Sequence, residues 1–204
     1  MIKEPIIIWD FDGVIMDSNA IRNNGFEEVL KEYPKEEVSR LMDFHNTNGG
    51  LSRYVKFRYF FEEVRNETIS EEQVLFWANK FSEIMLQRLG EKKLLIQETY
   101  QYILENHLNK KMHIVSASDQ TELRLICEKV NINKLFKSIH GSPTTKILNV
   151  SKLLEENNYN NTDVVLIGDS INDYQAAEKN NISFRGYNNI KLEELGNYIS
   201  EFNN

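Results

Sequence analysis

The stretch Ile6-Ile7-Ile8-Trp9-Asp10-Phe11-Asp12-Gly13 decides the fold. A short apolar run rich in β-branched residues, without polar alternation, is typical of a strand buried on both faces of a parallel sheet. The run ends abruptly in two acids and a glycine. The same pattern recurs where His113-Ile114-Val115 precedes Ser116, and where Val164-Val165-Leu166-Ile167 precedes Gly168. Because the carboxyl ends of parallel strands meet at one edge of a sheet, we expect these polar residues to face one crevice.

Helical patterns alternate with these strands. Polar capping residues followed by apolar residues at helical spacing predict helices over residues 119–130, 145–157 and 172–180. A chain in which strands and helices alternate forms a sheet with helices packed on both faces. The sequence therefore predicts an α/β fold with a doubly wound, mainly parallel, Rossmann-like sheet.

The segment 17–90 breaks this alternation. It contains no convincing strand, and its apolar residues recur at helical spacing. Ser70 and Gln73 form a capping box, which marks the start of a long helix. We therefore predict that 17–90 is an inserted all-helical cap domain, whereas residues 1–16 and 91–204 together form the Rossmann-like core.

Composition limits the range of partners and compartments. The chain has 204 residues and a formal net charge of −7. This acidic balance argues against nucleic acid or an anionic membrane as a partner, because both require clustered Lys and Arg. The chain has one cysteine, Cys127, which we expect in the core. No apolar run is long enough to span a bilayer, and we expect no signal peptide. We expect a cytoplasmic protein that is a monomer or a weak homodimer.

Two pairs of acidic residues follow the first and the third predicted strands. Asp10 and Asp12 leave the first strand, and Asp169 and Asp173 leave the third. Each pair alone is also explained by an ordinary turn or a helix cap. Four carboxylates gathered in one crevice of low dielectric would repel one another unless a cation joined them. Carboxylate oxygens are hard ligands, which favours Mg²⁺ over a soft metal.

Groups suited to an anion lie near the other strand ends. Ser116 ends the second strand, and Ala117 and Ser118 can donate backbone N–H groups at a helix N-terminus. Lys146 opens a later helix, where an isolated lysine is ordinarily a solvated surface charge. Beside a phosphoryl group, its charge would instead offset the repulsion between phosphate and carboxylates. Gly13 allows a sharp turn that brings amide groups close to such an anion.

The ordered set of motifs resembles the haloacid dehalogenase superfamily, in particular its phosphoglycolate phosphatase and β-phosphoglucomutase branch. Four motifs occur in the family's order: Asp-Phe-Asp-Gly-Val-Ile at residues 10–15, Ser116, Lys146, and Gly168-Asp169-Ser170 with Asp173. Each motif alone is weak evidence for the family, whereas the ordered set at three strand ends is strong evidence. The resemblance covers nearly the whole chain. The resemblance implies a small helical cap inserted after the first motif. It also implies a phosphatase that acts on a small phosphorylated metabolite.

A mechanism follows from the resemblance as well. It implies that Asp10 attacks phosphorus to form an aspartyl-phosphate, while Asp12 protonates the leaving alcohol and later accepts a proton from water. Acid catalysis near neutral pH requires a raised pKa, so we expect the pKa of Asp12 to be raised. The implied Mg²⁺ ligands are the Asp10 carboxylate, the Asp12 backbone carbonyl and Asp169, with Asp173 binding either directly or through water. The implied phosphate ligands are Phe11, Ser116, Ala117 and Lys146.

A loop of the predicted cap is expected to set the substrate specificity. Gly49 and Gly50 form a loop before a predicted helix, and Arg53 and Lys56 share one face of that helix. We predict that these two cations meet an anionic substrate. Two solvated charges on an amphipathic helix explain them about equally well.

Two alternatives to hydrolysis remain. A mutase of this branch would use the same Asp10 chemistry to move phosphate within a sugar. Many sugar-phosphate members carry a histidine shortly after the first motif, and Arg22 occupies that place here, which argues against a mutase. A non-catalytic scaffold that binds a phosphorylated ligand is the other alternative. The presence of all four acids argues against it.

Overall fold

The computed structural model describes residues 2–202, so that Met1, Asn203 and Asn204 lie outside the described residues. The strands are β1 (Ile6–Trp9), β2 (Lys111–Asp119), β3 (Ser138–Ser142), β4 (Val164–Gly168), β5 (Ser183–Tyr187) and β6 (Tyr198–Ile199). They form one sheet in the order β3-β2-β1-β4-β5-β6, and every neighbouring pair is parallel. The strand order reverses between β1 and β4, which is where open α/β sheets bind ligands. The predicted doubly wound sheet is confirmed.

β1 is buried on both faces, as its unbroken apolar sequence predicts. Ile7 and Trp9 pack in the core layer on one side of the sheet, and Ile6 and Ile8 pack in the layer on the other side. Full burial of a side chain of this size stabilises the fold by about 2 kcal/mol. The strand therefore lies at the centre of the core, and its carboxyl end places Asp10 at the switch point.

Helices account for most of the rest of the chain. The α-helices are α1 (Asn19–Val29), α2 (Lys35–Thr47), α3 (Arg53–Tyr59), α4 (Glu71–Arg88), α5 (Gln97–Asn106), α6 (Gln120–Lys129), α7 (Lys146–Glu156) and α8 (Ile171–Lys179). A π-helix, Phe60–Val64, continues α3, and short 3-10 helices lie at Lys92–Leu94, Asn133–Leu135, Asn161–Asp163 and Ile190–Leu195. Side chains of α5 and α6 pack on one face of the sheet, and those of α7 and α8 pack on the other. Within the described part of the chain, no helix is both long and apolar enough to cross a membrane.

The predicted elements of the core are present, and others were missed. The three helices predicted over 119–130, 145–157 and 172–180 are α6, α7 and α8. The sequence did not predict β3, β5, β6 or α5. β3 reads Ser-Ile-His-Gly-Ser, which lacks a continuous apolar run, so only its pairing with β2 makes it a strand.

The regular elements of the segment 17–90 are all helices, as predicted for a cap. The capping box at the start of α4 is present, with reciprocal hydrogen bonds between Ser70 and Gln73. An aromatic cluster forms the interior of this helical unit: the ring centroids of Phe26 and Phe81 lie 4.4 Å apart, and those of Phe26 and Phe57 lie 5.5 Å apart. The aromatic residues of α3 therefore pack in the cap core.

Two chain segments connect the cap to the core side by side. The backbone N–H of Asp17 donates to the carbonyl of Leu94 over 2.8 Å, and that of Ile96 donates to the carbonyl of Ile15 over 2.9 Å. The division into 17–90 and the remainder stays a prediction. These hydrogen bonds pair residues 15–17 with residues 94–96 where the predicted cap meets the core.

Candidate active site

Asp10 lies at the switch point of the sheet and is buried. Its backbone N–H donates to the carbonyl of Ile167 at the end of β4, over 2.9 Å. Lys146, the first residue of α7, donates from Nζ to Asp10 Oδ1 over 2.7 Å and also contacts Asp173. Burial alone would lower the pKa of Lys146, but the two carboxylates outweigh burial and raise it. The lysine is thus a fixed cation beside the predicted nucleophile.

Three of the four predicted acids converge beside this lysine. Asp10, Asp169 and Asp173 each offer a carboxylate oxygen, and these oxygens all lie within 4.8 Å of one another. Burial, followed by the charge of Asp173, raises the pKa of Asp10 well above its ordinary value, although Lys146 acts to lower it. The same two causes raise the pKa of Asp169 to about 7. One lysine therefore does not balance three carboxylates, and this donor set fits a divalent cation with hard oxygen ligands.

Gly13 makes this close packing possible. Its φ of +75° lies in the left-handed region that glycine adopts readily. A Cβ at this position would lie 2.0 Å from Asp169 Oδ2. The glycine of the first motif therefore allows the backbone after β1 to approach the carboxylate that follows β4.

The Asp12 side chain points away from the three converging carboxylates and towards the cap. It accepts hydrogen bonds from Ser18 Oγ at 2.5 Å and from Ser118 Oγ at 2.6 Å, and it pairs with the guanidinium of Arg22. Burial acts to raise the pKa of Asp12, but Arg22 and the two hydroxyl donors together lower it below its ordinary value. The expectation of a raised pKa is wrong for this conformation, because Arg22 stabilises the charged form.

The predicted phosphate ligands lie around Asp10. Ser116 and Ala117 line the same cleft as Asp10 and Asp12. Ser116 is buried, and its Oγ accepts from the backbone N–H of Ser118 over 3.1 Å. The side chain of Phe11 is buried in the apolar core, so this residue can meet a phosphate only through its backbone. Whether these residues bind phosphate stays a prediction.

The predicted cap residues Gly49, Gly50, Arg53 and Lys56 all line the cleft. The backbone N–H of Gly50 donates to Asn172 Oδ1 of the core over 3.2 Å. A Cβ on Gly50 would lie 2.6 Å from the Asn172 Cβ, so the cap loop approaches the core very closely here. The Nζ of Lys56 donates to the carbonyl of Gly49 over 3.0 Å.

The sequence did not identify Glu122, an acidic residue of the core that pairs with two arginines of the cap. Glu122, on α6, is buried and accepts hydrogen bonds from Arg22 Nη1 at 2.9 Å and from Arg53 Nη1 at 2.5 Å. Nothing in the sequence marks Glu122, because it lies 100 residues from one arginine and 69 from the other. Arg53 also donates to Ser82 Oγ over 2.6 Å. Arg53, which we expected to meet the substrate, is therefore already paired with a carboxylate of the core.

His45 also lines the cleft. Its Nε2 lies 2.6 Å from Asn23 Oδ1, and its ring packs against Phe26. Burial, then the charges of Lys56 and Arg22, lower the pKa of His45 to about 3. The imidazole is therefore neutral at physiological pH. The cleft that all these residues line has a volume of about 790 Å³, ample for a small metabolite.

A doubly wound sheet that gathers carboxylates and a lysine at its switch point is typical of an enzyme active site. Residues 7–186 match the model of a family described as haloacid dehalogenase-like hydrolases, and the chain belongs to this family. Membership confirms both the predicted family and the predicted class of enzyme, a phosphatase-type hydrolase.

Solved structures share the fold across almost the whole chain. β-Phosphoglucomutase from Clostridium difficile is 15% identical, with a TM-score of 0.77 over 97% of this chain and 91% of that one. CbbY from Rhodobacter sphaeroides, in complex with xylulose-(1,5)bisphosphate, is 14% identical, with a TM-score of 0.76 over 98% and 95%. A predicted phosphoglycolate phosphatase from Haemophilus somnus is 16% identical, with a TM-score of 0.71 over 92% and 86%. No curated protein matches the sequence significantly. At these identities the similarity shows the fold alone.

Proposed function

We propose that this enzyme hydrolyses phosphate monoesters of small metabolites through an aspartyl-phosphate on Asp10, and that it requires Mg²⁺. One observation carries the proposal: the Asp10 carboxylate is buried at the switch point, contacts Lys146, and lies beside Asp169 and Asp173. A carboxylate held in this way is oriented for attack on an electrophile in the cleft.

The carboxylates of Asp10, Asp169 and Asp173 and the backbone carbonyl of Asp12 would hold the cation. When bound, Mg²⁺ would supply positive charge that offsets the repulsion between the phosphate and the surrounding carboxylates. Asp10 attacks phosphorus, the bond from phosphorus to the ester oxygen breaks, and the leaving alcohol accepts a proton. Lys146 and the groups at the end of β2, Ser116 and Ala117, orient the phosphoryl oxygens.

In the proposed reaction Asp12, two residues after Asp10, is the group that transfers protons. In its charged form it can accept a proton from the water that attacks the aspartyl-phosphate, which releases inorganic phosphate and restores Asp10. To donate a proton to the leaving alcohol it must first be protonated, and the contact with Arg22 opposes this. The first step therefore requires Asp12 to gain a proton when the substrate enters, against the effect of Arg22.

The test is release of inorganic phosphate from p-nitrophenyl phosphate and from a panel of phosphorylated metabolites. We expect turnover with Mg²⁺, no turnover after chelation by EDTA, and recovery when Mg²⁺ is added back. Isomerisation of a sugar phosphate without release of phosphate would instead support a mutase. Failure of every compound to react, with Mg²⁺ present and the protein folded, would support a non-catalytic scaffold.

A further inference from the structure

A buried chain of charges joins the core to the cap across the leaving-group side of the cleft. Glu122 occupies the first turn of α6, and each of its carboxylate oxygens accepts a hydrogen bond from a different arginine of the cap, Arg22 or Arg53. Arg22 also pairs with Asp12. Two guanidinium groups of the cap are therefore matched by two carboxylates of the core. All four side chains are largely or completely shielded from water.

This pairing leaves little positive charge for the substrate. Arg53, whose position predicts contact with an anionic substrate, instead donates to Glu122 and Ser82. Lys56 contacts no carboxylate among residues 2–202; its ammonium donates to a backbone carbonyl and lies 5.8 Å from the ring centroid of Phe26. Burial lowers the pKa of Lys56 to about 7, so that near neutral pH its charge is only partly present.

The remaining polar groups on this side suit neutral hydroxyls. Nη2 of Arg22 and Nδ1 of His45 are buried, and each has no hydrogen-bond partner among the described residues. The contact from His45 Nε2 to Asn23 Oδ1 places the imidazole proton on Nε2, which leaves Nδ1 as an acceptor. Both residues line the cleft, and a donor and an acceptor without partners suit hydroxyl groups, which both donate and accept. A carboxylate or phosphate has no proton to offer Nδ1.

We propose that Glu122 is a specificity-determining residue that restricts the enzyme to phosphate esters with an uncharged, hydroxylated leaving group, because it neutralises the cap arginines. The inference rests on the proposed function, and it names the substrate class. An anionic group on the leaving-group part of the substrate would have to displace Glu122 from one of the arginines. Otherwise its negative charge would lie beside Asp12 and Glu122 without a cation to offset it. A hydroxyl group requires neither, and it satisfies polar groups that are otherwise buried without a partner.

The test compares substrates that differ only in the charge of the leaving group. We would measure kcat/KM for 2-hydroxyethyl phosphate against phosphoglycolate, and for sorbitol 6-phosphate against 6-phosphogluconate. The proposal expects the neutral member of each pair to be favoured about tenfold or more. Binding of the same compounds to the Asp10→Asn variant with Mg²⁺, measured by calorimetry, should show the same order. A preference for the anionic members would overturn the proposal.

A variant of Glu122 tests the residue itself. Glu122→Gln removes the negative charge and keeps the shape, so Arg53 can meet an anion. We expect the preference for neutral members to fall about tenfold. Glu128→Gln, an exposed change on the same helix, should keep the wild-type preference. A folded Glu122→Gln variant with an unchanged preference would refute this role, and if the variant does not fold, the wild-type comparison still decides the substrate class.

These readouts separate the two proposals. Turnover combined with a preference for anionic members would reject the role of Glu122 and keep the phosphatase. Absence of turnover, with neutral members still bound more tightly by Asp10→Asn, would reject the phosphatase and keep the assignment of the cleft.

Discussion

The two ends of the cleft handle charge in opposite ways. At the sheet end, Lys146 faces the carboxylates of Asp10, Asp169 and Asp173, and negative charge is in excess. At the cap end, two arginines and two carboxylates are matched, with Glu122 between Arg22 and Arg53. The excess at the sheet end fits a divalent cation and the phosphoryl transfer proposed above. The balance at the cap end requires no ion and is suited to recognition of neutral groups.

The largest expected effect is at the sheet end, from Asp10→Asn. An amide is nearly isosteric with the carboxylate but a far weaker nucleophile, so turnover should fall by about a thousandfold or more. Phosphate release from p-nitrophenyl phosphate measures the loss, and circular dichroism shows that the fold is kept. Asp43→Asn, an exposed change in α2, is the matched control and should retain full activity. Wild-type turnover in Asp10→Asn would remove Asp10 as the attacking group.

The second effect concerns the lysine that offsets the acids. Lys146→Met leaves Asp10 and Asp173 buried without their cation, which should destabilise the fold by about 3–5 kcal/mol in EDTA. Urea denaturation measures the change, and saturating Mg²⁺ should recover part of it by binding only the folded state. Lys152→Met, exposed on the same helix, is the control. If Mg²⁺ stabilises neither Lys146→Met nor the wild type, these carboxylates do not form a metal site.

The third effect is a loss of folding stability at low pH, and it arises in the core, away from both ends of the cleft. His113 is buried between Ser138 and Tyr159, and burial, then the charge of His140, lowers its pKa to about 4. The unfolded chain therefore binds this proton first as pH falls, and stability is lost progressively from about pH 6.5 to about pH 4, by about 3 kcal/mol at most.

Urea denaturation at several pH values measures this loss. The His113→Gln variant, which cannot titrate in this range, should lose less stability between those pH values than the wild type. The exposed change Ser151→Ala should leave the slope unaltered. Equal slopes in His113→Gln and the wild type would show that other groups dominate the acid sensitivity.

The smallest effect tests how closely the cap approaches the core. In Gly50→Ala the new methyl group would meet Asn172 and Ser170, which should weaken closure by about 1 kcal/mol and lower kcat/KM about fivefold. Gly49→Ala is a matched control, because a Cβ at that position meets no atom within 4 Å. Equal kcat/KM values in the two variants would show that the enzyme does not work in this closed arrangement.

Much of the fold and part of the site could be predicted from local pattern. β1 was identifiable because four consecutive large apolar residues have no other stable place than a strand buried on both faces. The carboxylates that follow β1 and β4 were predicted to converge because parallel strands end at one edge of the sheet. β5 escaped prediction because Ser-Phe-Arg-Gly-Tyr lacks an apolar run, and it pairs as a strand only beside β4.

The sequence by itself determined three strands of the sheet (β1, β2 and β4), the helical character of 17–90 and the acids that follow two of those strands, because each depends on residues close together in the chain. Only the tertiary structure decided the protonation of Asp12 and the partner of Arg53. Asp12 is held in its charged form by Arg22 and by Ser118, which lies 106 residues away, and Arg53 is paired with Glu122, which lies 69 residues away. A pKa and an ion pair are set by distances through space, which no local pattern encodes.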